Sequence, residues 1–291
     1  MDIQRHIRIT QFVNTIQRLQ NLSEPTHYTH TTIGSGTPEI SIVMTASNRS
    51  KQTYHTLRSI CGQVHIVLVD DSDSDPILLG ELQKVGLYID FIQINRSNKF
   101  WVNPCVNYNI GFKYVKAPLI ILQNAEVCHV GDICAYVKEH ANDTYLVFDV
   151  AYSRSYERNE EVYSTSGFDD MYSLLAPEWY QHHIINNKQL HFLVAFSKPM
   201  LDAIGGFSLD YFSQGSYDDD DFLLHVRRLG IPIRSVPSEE TRLMGIHLYH
   251  VLSETWEKGQ IDKNRRIFQE KDTHSTYFHV WQRPNLVSKV L

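Results

Sequence analysis

His65-Ile66-Val67-Leu68-Val69-Asp70-Asp71-Ser72-Asp73 decides the fold of this chain. Ile66–Val69 is continuously apolar and rich in β-branched residues, which marks a short strand buried on both faces. It stops at a run of acidic and hydroxyl residues. Upstream, Ile40-Ser41-Ile42-Val43-Met44-Thr45 repeats the pattern and ends at Ala46-Ser47-Asn48-Arg49. Between the two, residues 50–61 place Tyr54, Leu57 and Cys61 on one helical face. Downstream, Tyr88–Ile94 reads as a third strand and Val106–Val115 as a helix. Leu119-Ile120-Ile121-Leu122 is a fourth strand, running into Gln123-Asn124-Ala125-Glu126. Strands alternating with helices predict an α/β domain, a mostly parallel sheet flanked by helices. In such sheets ligands gather at the carboxyl ends of the strands. The polar clusters of this chain fall there.

Farther out the pattern loosens. Residues 1–24 have apolar side chains at helical spacing, with Arg5, Arg8 and Arg18 on the same stretch. They predict a helix that packs on the main domain or touches an anionic membrane surface peripherally. Residues 25–38, with Pro25, Gly34, Gly36 and Pro38, read as a linker. Tyr145–Tyr152 reads as another strand, 153–190 as irregular, and His191–Ser197 as a strand leading to the Gly205-Gly206-Phe207 turn. Trp256–Asp272 has a polar helical pattern. The expected organisation is an N-terminal helix and linker (1–38), an α/β domain (39–250) and a C-terminal helical segment closing on the site (251–291).

Composition narrows the function. The 291 residues have a net charge of −6 and no basic block, which argues against nucleic acid as the partner. No apolar run approaches the roughly 20 residues of a membrane span. Met1–His6 lacks an apolar signal core, and the four cysteines lack zinc-type pairing. These features predict a soluble, cytoplasmic protein.

The densest chemistry lies in Ser216-Tyr217-Asp218-Asp219-Asp220-Asp221-Phe222. Four consecutive carboxylates repel one another. They form either a solvated first turn of a helix, where the macrodipole favours acids, or a site where a cation or proton transfer compensates them. The accompanying motifs are Ser41–Arg49, Val67–Ser72, Asn103-Pro104 with Asn109-Ile110-Gly111, Leu122–Val127, Gly205-Gly206-Phe207 and His247-Leu248-Tyr249-His250. In this order, over roughly residues 39–271, the chain resembles the inverting glycosyltransferases of the GT-A fold, the family 2 group most of all.

The resemblance implies a Rossmann-like sheet with a small antiparallel part on the acceptor side. It implies transfer of a sugar, with inversion, from a nucleoside-diphosphate sugar (UDP as first choice) to a hydroxyl of a glycan, glycolipid or other acceptor. Asp71, with Asp70 beside it, would meet the nucleoside. Thr45, Asn48 and Arg49 match the first nucleotide loop, and Asn103, Asn109, Asn124 and Gly206 complete the donor site. The family's metal-binding Asp-X-Asp is replaced here by Asn124-Ala125-Glu126. Glu126 would hold Mn²⁺ or Mg²⁺ with His247, and His250 as the alternate ligand. Asp219 would be the catalytic base, with Asp218 and Asp220 one position to either side. Lys263, Arg265, Arg266 and Lys271 either neutralise the diphosphate or line a solvated helix. A binding module of the same fold without turnover is the alternative. A nucleotidyltransferase is a third reading, but residues 44–52 lack the glycines it would want.

Overall fold

Residues 40–46, 65–70, 88–94 and 119–123 form β2, β3, β4 and β5, the core of an eight-stranded sheet in the computed structural model. The structure describes residues 17–175, 178–251 and 258–273. The strand order is β1-β4-β3-β2-β5-β10-β7-β11, where β1 is Tyr28–Ile33, β7 is Tyr145–Phe148, β10 is Leu193–Ser197 and β11 is Ile233–Val236. Pairing is parallel from β4 through β5 and between β7 and β11, and β1 and β10 run antiparallel to their neighbours.

The apolar strands alternate between two cores. Ile40, Ile42, Met44, Ile66 and Leu68 face one side, and Val43, Val67 and Val69 face the other. Burial on both faces requires runs without polar alternation. The helix Cys105–Phe112 covers the valine face at close range. A Cβ on Gly111 would come within 3.1 Å of Val43, 3.3 Å of Val69 and 3.5 Å of Val67.

A second, four-stranded sheet has the order β6-β12-β8-β9, from Val127–Val130, Met244–His247, Val150–Tyr152 and Trp179–Gln181. Both its outer pairings are antiparallel and its central one is parallel. The single strand read at 145–152 is therefore two strands in two sheets. The break is at Asp149, whose carboxylate accepts from the backbone N–H of His183 (2.8 Å) and of Ser238 (2.9 Å). Those anchors pin the chain where it crosses between sheets. The stretch 153–190 is also more regular than its composition suggests, holding helices Tyr156–Ser164 and Phe168–Leu175 besides β9. Within 25–38, residues 28–33 pair with β4 as an edge strand. Most of the predicted N-terminal helix, residues 1–16, lies outside the described residues. Its end, Leu19 and Leu22, is buried against the valine-side core. No helix among the described residues is long and apolar enough to cross a membrane.

Candidate active site

The carboxyl ends of β2, β3 and β5 and the segment after β12 converge on one polar region. Asp70 turns inward there. Its carboxylate accepts from Ser72 N–H (3.2 Å), Ser72 Oγ (2.6 Å) and Ile77 N–H (3.0 Å), closing the loop after β3. Asp71 ties that loop to β2 by donating its N–H to the Ala46 carbonyl (2.8 Å). Its carboxylate accepts from Arg96 Nη1 (2.9 Å), Asn107 Nδ2 (3.1 Å) and Lys99 Nζ. Carboxylate oxygens offer about four acceptor directions, so these three bonds leave capacity for a ligand. Asn48 supports the same loop from behind. It adopts a left-handed backbone (φ 55°), and its Oδ1 accepts from the N–H groups of Asp73 (3.0 Å), Ser74 (2.9 Å) and Asp75 (3.1 Å).

Glu126 follows β5 and is buried. Its Oε1 meets the Arg49 guanidinium, His250 Nε2 at 3.3 Å, His247 Nε2 at 3.4 Å and Asn124 Nδ2 at 3.5 Å. Burial opposes its ionisation, but Arg49 and the two histidines outweigh burial and hold its carboxyl well below the usual carboxylate range. No described residue donates to Glu126 Oε2 or pairs with His247 Nδ1, although both atoms are buried. Buried polar atoms without partners are uncommon, and a bound ligand, ion or water is one way to satisfy them. The donor atoms of Glu126, His247 and His250 lie within 4.8 Å of one another. One carboxylate with two imidazoles is a donor set that fits a divalent cation, Mn²⁺ better than Mg²⁺. The segment carrying the histidines is fixed by Asn159, which bonds both the Tyr249 carbonyl (2.9 Å) and the Tyr249 N–H (2.9 Å).

The acidic run opens the helix Asp218–Arg228. Its four carboxylates differ sharply in surroundings. Asp218 is buried and accepts from Asn103 Nδ2 (3.1 Å). Asp221 is buried behind the run and accepts from Tyr211 Oη (3.2 Å) and pairs with Lys271 (3.3 Å). Asp219 and Asp220 are half-buried, and Asp219 accepts from the Asp220 N–H (3.0 Å). Burial, then the charge of Asp219, pushes Asp218 up to about 7; the same two causes push Asp220 up to about 6. Burial also raises Asp219. Asn109 lies farther back, clamping the glycine turn. It bonds the Phe207 carbonyl (2.8 Å) and N–H (2.9 Å), and a Cβ on Gly206 (φ 80°) would strike its Oδ1 at 2.5 Å.

Two tyrosines join the stations. Tyr108 is buried between Thr45, Glu126 and Asp218; burial raises its phenol and the two carboxylates raise it further. Tyr180 stacks on His247 (centroids 4.1 Å apart), and burial with the charges of Glu126 and Asp219 pushes it up to about 12. Glu126 and the acidic run therefore act on the same small region. Sequence reasoning missed Tyr108, Tyr180, Arg96, Lys99 and Asn107. Asn107 carried a usable signal, two residues before Asn109 on one helix, and Tyr180 carried none.

A second group, Asp149, His182, His183 and Glu239, also gathers ligand-type atoms. It is chemically closed. His182 Nδ1 accepts from Ile184 and Ile185 N–H (3.1 and 3.2 Å), so Nε2 keeps the proton that it shares with Glu239 (3.2 Å). No lone pair on that ring is left for an ion.

An eight-stranded, mostly parallel sheet with its polar residues at the strand ends, a small mixed sheet and a clustered acid–histidine site is a GT-A architecture. Residues 41–201 match glycosyl transferase family 2, and the chain belongs to that family. No curated protein matches the sequence. Among solved structures, S. aureus TarS superposes with a TM-score of 0.55 at 12% identity, covering 87% of this chain and 43% of that one. S. aureus TarS 1-349 in complex with UDP gives 0.49 at 14% identity, covering 87% and 75%. The mannosyltransferase PcManGT from Pyrobaculum calidifontis, in complex with GDP-Man and Mn²⁺, gives 0.47 at 10% identity, covering 96% and 75%. The chain spans less than half the length of TarS. At these identities the likeness is one of fold.

Proposed function

We propose that this chain transfers a sugar from a nucleoside-diphosphate sugar, UDP-linked as first choice, to an acceptor hydroxyl with inversion. The observation that carries the reading is the buried cluster of Glu126, His247 and His250, with two polar atoms that no described residue partners and Tyr180 stacked on His247, together with the acidic first turn of Asp218–Asp221. One station suits a diphosphate and the other a proton. Asp71 accepts from the nucleoside, while Arg96, Lys99 and Asn107 hold its carboxylate in place. Asp219, half-buried and with a raised pKa, takes the proton of the acceptor hydroxyl. The freed oxygen attacks the anomeric carbon from the face opposite the diphosphate. The bond from that carbon to the β-phosphate oxygen breaks, and its electrons leave with the diphosphate. Glu126, His247 and His250 would hold Mn²⁺ or Mg²⁺, which when bound stabilises the leaving group's charge. Holding donor and acceptor together supplies much of the acceleration.

A binding role without turnover is the second reading, favoured by one contact. Arg49 already gives Glu126 a cationic partner. Asp219→Asn separates the two. The variant is expected to lose about 10²- to 10⁴-fold in UDP released from UDP-glucose or UDP-N-acetylglucosamine, with its UDP affinity intact. Full turnover in that variant would remove Asp219 as the base. A wild-type protein that binds UDP and never releases it from either donor would favour the binding role.

A further inference from the structure

The chain enters the acidic helix through an unusual backbone. Ser216 (φ 69°) and Tyr217 (φ 67°) are consecutive non-glycine residues in the left-handed region. Such conformations persist only where the surroundings over-determine them. Here the surroundings come from the helix Lys258–Thr273. Asn264 is buried, and its Nδ2 faces four carbonyls of the entering loop: Gln214 (2.9 Å), Gly215 (3.1 Å), Ser216 (3.1 Å) and Tyr211 (3.4 Å). Arg265 Nε donates to Tyr217 Oη (2.9 Å), and Phe268 packs on the Tyr217 ring at 5.6 Å. From the other side Asn103 bonds the Gln214 carbonyl (2.9 Å) as well as Asp218.

One turn or more along the helix, Lys271 is buried beneath the run. Its ammonium donates to Ser208 Oγ (2.8 Å) and pairs with Asp210 (2.8 Å) and Asp221 (3.3 Å). A buried ammonium is tolerated only with such partners. Its charge thus offsets Asp221, the last carboxylate of the run, together with Asp210.

We propose that Asn264 and Lys271 are positioning residues for the acidic run, with the helix Lys258–Thr273 acting as a brace that fixes where Asp218–Asp220 stand. The inference rests on the transferase reading above. It differs from a role for this helix's cations on the diphosphate, because Lys271 spends its charge behind the carboxylates. A brace acts on turnover and leaves the donor's binding groups, on β2, β3 and β5, untouched.

The test uses Asn264→Ala and Lys271→Met in the full chain, with UDP and Mn²⁺ as the binding probe and UDP release from UDP-glucose or UDP-N-acetylglucosamine as turnover. Each variant is expected to lose about tenfold to hundredfold in kcat, the scale of a small misplacement. The Kd for UDP and the KM for the donor should stay within about twofold, well below that scale. Amide hydrogen exchange should show lost protection at residues 211–221 and retained protection in β2–β5. That measurement does not depend on activity. If the wild type fails to turn over, the transferase reading fails, while exchange still decides whether the brace exists. Should Lys271→Met fail to fold, Arg265→Ala, which removes exposed ties to Tyr217 and, within the helix, to Asp262, should give a smaller loss in kcat with the same exchange signature. Folded variants with wild-type kcat, or with no change in exchange at 211–221, would overturn the proposal.

Discussion

The amino ends and the carboxyl ends of β2, β3 and β4 each gather acids, histidines and hydroxyls, but the two clusters differ in how their bonds close. At the amino ends, Ser41 Oγ accepts the N–H groups of Lys116 (3.2 Å) and Ala117 (3.1 Å) and therefore gives its proton to His65 Nδ1 (3.0 Å). His65 Nε2 donates to Asp90 (2.9 Å), which also accepts from His30 (3.0 Å), Thr32 (2.7 Å) and Lys116 (2.6 Å). This Ser–His–Asp chain has the hydrogen-bond polarity of a hydrolytic triad. It is wholly buried, and every partner is spoken for. Beyond the carboxyl ends, where Glu126 follows β5, Glu126 Oε2 and His247 Nδ1 are buried without partners among the described residues, and four aspartates share the first turn of one helix. Residue types are similar at both ends. What separates them is that the bonding is finished at one and unfinished at the other.

The largest expected contrast is in what each loss takes with it. Asp90→Asn strips the charge that His65, Lys116 and His30 share, and should cost roughly 3–5 kcal/mol with UDP affinity per folded molecule unchanged. Glu126→Gln breaks the buried pair with Arg49 and should cost stability on the same scale, but it should also abolish any Mn²⁺-dependent gain in UDP affinity. Urea midpoints and UDP titrations with and without Mn²⁺ check the two variants. Loss of the Mn²⁺ gain in Asp90→Asn, or its survival in Glu126→Gln, would erase the distinction between a finished and an unfinished cluster.

The two ends should also respond to pH with opposite sign. Burial disfavours the charge on Asp90, but its hydrogen bonds with Lys116, Thr32 and His30 prevail and hold it down at about 2. A carboxyl lowered on folding stabilises above its unfolded pKa near 4, and that contribution is lost as pH falls from about 4 to about 2. Asp218 and Asp220 are raised, to about 7 and about 6. Groups raised on folding contribute fully below about 4, and that contribution is lost as pH rises to about 7. Asp219 is raised too, so turnover should climb with pH as the base loses its proton, while the thermal midpoint falls. Asp220→Asn should flatten the neutral-side fall and leave the acid-side fall unchanged. Asp90→Asn should do the reverse. A single variant that flattens both would mean the clusters are coupled.

These contrasts also explain what the sequence could and could not disclose. β2, β3 and β5 were legible because both of their faces are buried, so each is a nearly continuous apolar run. The candidate site was legible where its residues sit at strand ends, as Asp71 and Glu126 do. The break at Asp149 was hidden because its anchors, His183 and Ser238, are distant in the chain. The edge strand 28–33 was hidden because only one neighbour, β4, defines it. Arg96 and Lys99 were hidden as the anchors of Asp149 were: they reach Asp71 from 25 and 28 residues away, and no local pattern records such a meeting.

The smallest prediction tests the comparison at its most deceptive residue. Ser41→Ala leaves the N–H groups of Lys116 and Ala117, and His65 Nδ1, without their present partner. If the amino-end cluster is structural, the variant should lose about 1–3 kcal/mol of stability and nothing else. UDP affinity and turnover per folded molecule should match the wild type, and neither protein should hydrolyse p-nitrophenyl acetate above background. A serine used as a nucleophile would behave oppositely, since its loss would remove ester hydrolysis at small cost to folding. The two backbone donors on Ser41 Oγ argue against that role on steric grounds. They occupy the lone pairs with which a nucleophile would have to attack.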